Sequence, residues 1–145
     1  MKVYFRKTYR NLIFSILAVV SIVAFAGAQN RTMVSSIDPS AGVLTMVNVL
    51  TPGPGKQLET IQLLQAGMDK TMRHQPGFIS ANVHRSLNSD HVVVYAQWKD
   101  QASVEAAAKQ IESGKAPNME MVFTIAQPAY HPYDVVSVHR AFLKK

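Results

Sequence analysis

The segment Pro76 to Trp98, PGFISANVHRSLNSDHVVVYAQW, limits what this chain can fold into more tightly than any other stretch. Two runs rich in β-branched and aromatic residues flank a short polar turn, so it reads as an antiparallel hairpin, roughly Phe78 to Ser86 and His91 to Trp98. In the first run Ser80, Asn82, His84 and Ser86 recur at period two and share one face of the strand. A polar row where a core is expected suits a pocket wall better than plain scaffold. The second run ends at the only Trp of the chain, Trp98, beside the hydrogen-bonding Gln97.

The flanking segments supply the elements that such a hairpin can pack with. Val43 to Leu50 (VLTMVNVL) is apolar on both faces, as in a strand covered on both sides, and Asn48 is its one strongly polar interruption. The cluster Thr51-Pro52-Gly53-Pro54-Gly55 ends that strand. From Lys56 to His74 the residues Leu58, Ile61, Leu64, Met68 and Met72 form one helical stripe, stopped by Pro76-Gly77. After the hairpin, Asp100 is a good N-cap for a second helix carrying Val104, Ala107, Ala108 and Ile111 on one face, with Gly114 at its stop. Met119, Val122, Phe123 and Ala126 predict a shorter third helix closed by Pro128, and Tyr133 to Arg140 (YDVVSVHR) reads as the last strand.

The resulting β-α-β-β-α-β order is the α+β, ferredoxin-like pattern, in which helices cover one face of an antiparallel sheet. Because the first strand is apolar on both sides, the face without helices also needs cover. A second copy of the chain is the simplest cover, so a homodimer is expected.

Of the 145 residues, the first 28 read as a leader. Lys2, Arg6, Lys7 and Arg10 form a basic start, Leu12 to Phe25 is almost wholly apolar, and Ala26-Gly27-Ala28 is a small-x-small cleavage pattern. Cleavage after Ala28 gives an exported, periplasmic or secreted protein. The alternative is an uncleaved inner-membrane anchor over residues 12–28, whose 17 residues sit at the short limit for a spanning helix. Residues 29–42 are polar and read as a flexible lead-in, 43–142 as one domain, and 143–145 as a tail. Without the leader the net charge drops from +6 to +2, with scattered basic residues, which argues against nucleic-acid binding. With no Cys, the domain must be held together by burial alone.

Register decides which hairpin residues meet. A three-residue turn at Asn88-Ser89-Asp90 pairs His84 with Val94 and puts Phe78, Ser80, Asn82 and His84 on the face of Val94, Ala96 and Trp98. A two-residue turn moves Trp98 to the other face. The three-residue turn is favoured because it gathers the polar groups around the indole.

Taken together, PGFISANVHRS, the later VVYAQW and the late YDVVSVHRA resemble the antibiotic biosynthesis monooxygenase family of dimeric α+β barrels, over roughly Leu44 to Phe142. The resemblance implies oxidation of phenolic aromatics by O2 with no metal or flavin cofactor. It marks His84 and Trp98 as catalytic, His84 as proton partner and the Trp98 N–H as donor to a substrate oxygen. Asn48, Asn82, Ser80, Phe78 and Val94 become substrate-binding candidates. The family's oxygenases carry an Asn four positions before that Trp, where this chain has Val94. Two further readings follow: a barrel that binds a small ligand without chemistry, and a haem-degrading oxygenase whose ligand His would fall near Ala108. No metal-ligand spacing and no G-x-S-x-G elbow is present.

Overall fold

The computed structural model describes residues 34–142. The expected leader or anchor, the first residues of the lead-in and the tail at 143–145 lie outside the described residues. The elements run β1 (Leu44–Pro52), α1 (Gln57–Lys70), a 3-10 turn (Met72–His74), β2 (Phe78–Arg85), β3 (Val92–Trp98), α2 (Gln101–Glu112), α3 (Pro117–Ile125) and β4 (Ala126–Tyr133). Four antiparallel strands make one sheet in the order β2-β3-β1-β4, the ferredoxin-like arrangement. Among the described residues no helix is long and apolar enough to cross a membrane.

The two central strands fix what faces the helices. Leu44, Met46, Asn48 and Leu50 of β1 lie opposite Trp98, Ala96, Val94 and Val92 of β3, so all eight share one face. That face meets Leu64, Met72, Ala107, Met119 and Val122 from the helical layer in a single core. Leu50, Leu64, Val92 and Val122 are fully buried, each contributing about 1.5–3 kcal/mol of apolar burial. At the start of α2, Asp100 Oδ1 accepts from the Ser103 N–H at 2.9 Å, as its N-cap position requires. The Ser103 hydroxyl, donating to the same oxygen at 2.6 Å, and this N–H hold the Asp100 carboxyl below its ordinary pKa.

Two expectations are corrected. The last strand is Ala126–Tyr133, and residues 134–142 have no regular structure. Pro128 and Pro132 signal a break, yet β4 is an edge strand, and residues four apart turn the same way, so both missing N–H groups can fall on the unpaired side. The stripe of α1 holds at Ile61, Leu64, Met68 and Met72 but not at its first position. Leu58 is 63% exposed, while Thr60, Leu64 and Gly67 are buried.

Gly67 is buried on the flank of that stripe, where its missing side chain lets α1 approach α3. A Cβ there would land on the side chain of Met119. Gly67→Val is expected to destabilise the fold by about 1–3 kcal/mol through overpacking, read as a lower denaturation midpoint at unchanged slope.

Candidate functional site

Gly77, at φ +80°, turns the chain into β2, and its carbonyl accepts from the Lys99 N–H at 2.8 Å, closing the open end of the hairpin. At the other end Ser86 N donates to His91 O at 3.0 Å, which leaves the four-residue turn Leu87 to Asp90. Hydroxyls organise this turn, with Ser89 Oγ donating to Ser86 Oγ at 2.8 Å and Ser86 Oγ donating to Asn88 Oδ1 at 3.1 Å. From the start of α1, Gln57 Nε2 lies 3.2, 2.9 and 3.3 Å from the carbonyl oxygens of Ser86, Ser89 and His91. Four turn residues in place of three shift the pairing by one. His84 therefore opposes Val93 and Asn82 opposes Tyr95.

A bulge at Ile79 then separates Phe78 from the polar row that begins at Ser80. Phe78 opposes Trp98, whereas Ser80 opposes Gln97, so one residue is extra on β2. Phe78 stays with Trp98, their rings meeting edge to face at 5.2 Å between centroids. Ser80, Asn82 and His84 leave the sheet on the opposite face. The expectation that His84, Asn82 and Ser80 gather around Trp98 is corrected by this register.

The helix-covered face holds a cavity of about 480 Å³, lined from the sheet by Met46, Asn48, Phe78, Val94, Ala96 and Trp98. Leu64, Met68 and Met72 close it from α1 and the 3-10 turn, so the two Met side chains are wall as well as core. From α2 the lining row is Val104, Ala107, Ala108 and Ile111, where two alanines leave room. Of the seven candidate residues, the structure brings together Asn48, Phe78, Val94 and Trp98.

Asn48 is the polar centre of this wall. It sits between Val94 on β3 and Tyr130 on β4, its direct cross-strand partners, so the three share one row. Its Oδ1 is buried without a hydrogen-bond partner. Tyr130, Glu112 and Glu120 also line the cavity and were missed by sequence reasoning. Tyr130 was hidden because AQPAYHPY reads as a proline-broken connection. The signal for it was the alternation of Pro128, Tyr130 and Pro132 on one side of an edge strand.

On the opposite face the polar row is satisfied by the lead-in. Ser80 Oγ donates to Gln97 Oε1 at 2.8 Å, Asn82 Nδ2 donates to Ser35 Oγ at 3.0 Å, and Gln97 Nε2 donates to Ser36 O at 3.0 Å. His84 is exposed there. Among the described residues, no group of three or more His, Cys, Asp or Glu could hold a metal ion.

Residues 43–116 match the model of the antibiotic biosynthesis monooxygenase family. Tetracenomycin-F1 monooxygenase of Streptomyces glaucescens is 40% identical over 72 residues, 50% of this chain and 64% of that protein, so the chain spans somewhat less than two thirds of its length. A mutant of SnoaB, described as a cofactor-independent oxygenase from Streptomyces nogalater, superposes with a TM-score of 0.59 at 21% identity, over 68% of this chain and 97% of that one. The parent SnoaB gives 0.55 at 23% identity, over 72% and 100%. These structures share the fold, and the family match covers both walls of the cavity except α3 and β4. The chain belongs to the antibiotic biosynthesis monooxygenase family.

Proposed function

We propose that the protein is an oxygenase that oxidises a phenolic or quinol-type aromatic with O2 in the cavity beside Trp98, using no resident metal or flavin. The observation that carries this reading is Asn48, an amide with a buried, unpaired oxygen in a largely apolar wall. An unpaired buried acceptor costs about 1–3 kcal/mol, and a hydroxyl-bearing ligand would remove that cost. The activities given for tetracenomycin-F1 monooxygenase and for SnoaB support the oxygen chemistry and the lack of a cofactor.

The chemistry asks little of the protein. A phenol that gives up its proton becomes electron-rich enough to reduce O2 directly. One oxygen atom becomes the second carbonyl of a quinone. The other leaves as water with the phenol proton and the hydrogen of the oxidised ring carbon. The protein orients the ring, accepts a proton and stabilises developing negative charge on oxygen. Trp98 supplies an indole N–H donor and Asn48 an amide, while Phe78 and Val94 give the ring an apolar surface to lie against. With His84 on the other face, the proton acceptors that line the cavity are Glu112, Glu120 and the Tyr130 hydroxyl.

Val94 favours a second reading, a barrel that binds the same ligand without turnover. It is buried in the wall opposite Asn48, where it offers a substrate no hydrogen bond. Oxygen uptake with dihydroxynaphthalene-type phenols separates the two. Asn48→Ala and Trp98→Phe are each expected to lower uptake by about tenfold or more, and His84→Ala to leave it near wild type. Ligand binding with no uptake by the unaltered protein establishes the second reading.

We further propose that the protein is an exported homodimer. The basic and apolar start of the chain supports export. The dimer is supported by the sheet face without helices, where Val49 and Tyr133 are 38% and 48% exposed. Sedimentation should give twice the chain mass, and Val49→Asp should shift it toward monomer; a monomeric wild type at micromolar concentration contradicts the proposal.

A further inference from the structure

The charged residues of the cavity wall are all of one sign. Glu112 at the end of α2 and Glu120 in the first turn of α3 line it, and no Lys, Arg or His does. The ion pairs among the described residues, Lys56–Glu59, Arg73–Asp69 and Lys99–Asp100, involve neither carboxylate. The other polar lining groups, Asn48, Trp98 and Tyr130, are neutral, and the rest of the wall is aliphatic, aromatic or thioether.

We infer, resting on the oxygenase reading of this cavity, that it accepts uncharged hydroxyaromatics and discriminates against those that carry a carboxylate or phosphate. Glu112 and Glu120 are the specificity-determining residues. An anion entering an apolar wall loses its hydration and recovers it only from an opposite charge or several aligned donors. This wall has no opposite charge, and the two carboxylates, exposed to solvent where they line the cavity, add a screened repulsion. Asn48 points the same way from an independent observation. Its unpaired Oδ1 is an acceptor, which a protonated hydroxyl satisfies and an anionic oxygen does not.

Without a cation in the wall, a phenolate receives only neutral donors, so the hydroxyl enters protonated and its proton leaves as the ring is oxidised. A ring that already bears several oxygen substituents meets that demand, because it reduces O2 most readily.

The test uses the full-length protein and a matched pair of probes, 6-hydroxy-2-naphthoate and its methyl ester, which is slightly larger but uncharged. Binding is measured by calorimetry at pH 7. The ester is expected to bind on the order of tenfold more tightly than the acid. Glu112→Gln with Glu120→Gln should narrow that ratio severalfold, and Glu120→Lys should narrow it further, with folding checked by circular dichroism. Equal affinity of the unaltered protein for acid and ester overturns the inference while leaving the oxygenase reading in place. Failure of both probes and of 2-naphthol to bind overturns the reading of the cavity itself, and the inference falls with it.

Discussion

The contact on which this site depends is the Gln57 side chain at the start of α1, seated against the carbonyls of Ser86, Ser89 and His91. A strand register that slips by one residue exchanges its faces completely. By binding a four-residue turn, Gln57 selects the pairing in which Val92, Val94, Ala96 and Trp98 face the helices. The bulge at Ile79 then returns Phe78 to the face of Trp98 while Ser80 remains outside. Turn length and bulge together decide that the hairpin turns Phe78, Val94, Ala96 and Trp98 toward the cavity, and that the polar row lies against the lead-in.

The cavity exists because the helical layer packs unevenly over the sheet. α1 and α3 close tightly, since Gly67 admits the Met119 side chain. α2 instead presents Ala107 and Ala108 to the sheet, and these small side chains leave the space unfilled. An unfilled volume forfeits dispersion contacts, so the domain is less stable than a fully packed version would be. Thioethers of Met46, Met68, Met72 and Met119 line the gap, and their flexible stems can follow the outline of whatever occupies it. Stability has been given up on one side of the molecule and kept on the other.

How much of this was legible in the residues depends on the range of the interaction that fixed each feature. The element order, the Asp100 cap and the apolar faces of α2 and α3 follow from local periodicity and capping, and they were readable. The position of β4 was not, because prolines stop a central strand but not an edge strand, and edge position is a property of the sheet. The face of His84 was not, because an odd or even turn is chosen by Gln57, some thirty residues away in sequence. Trp98, Phe78, Val94 and Asn48 line one cavity, whereas the sequence pattern grouped the hairpin residues among them with a row that also held His84. Periodicity groups residues within one strand, and only the ladder shows which strands share that face.

Family membership and the proposed chemistry rest on different residues in this protein. The oxygenases that this hairpin resembles carry an amide four residues before the Trp, and here that position is Val94, buried at the wall. Asn48 lies directly across the ladder from it. Opposite side chains on one face of an antiparallel pair stand about 4.5–5.5 Å apart at Cβ, so an amide at 48 serves the same row of the cavity from the neighbouring strand. A substrate oxygen placed beside Val94 is therefore within reach of an amide, approached from β1 and not from β3. On the proposed oxygenase reading, Val94 at that position puts the hydrogen-bonding group one strand spacing nearer Tyr130, and with it the part of the cavity where a substrate hydroxyl would be held.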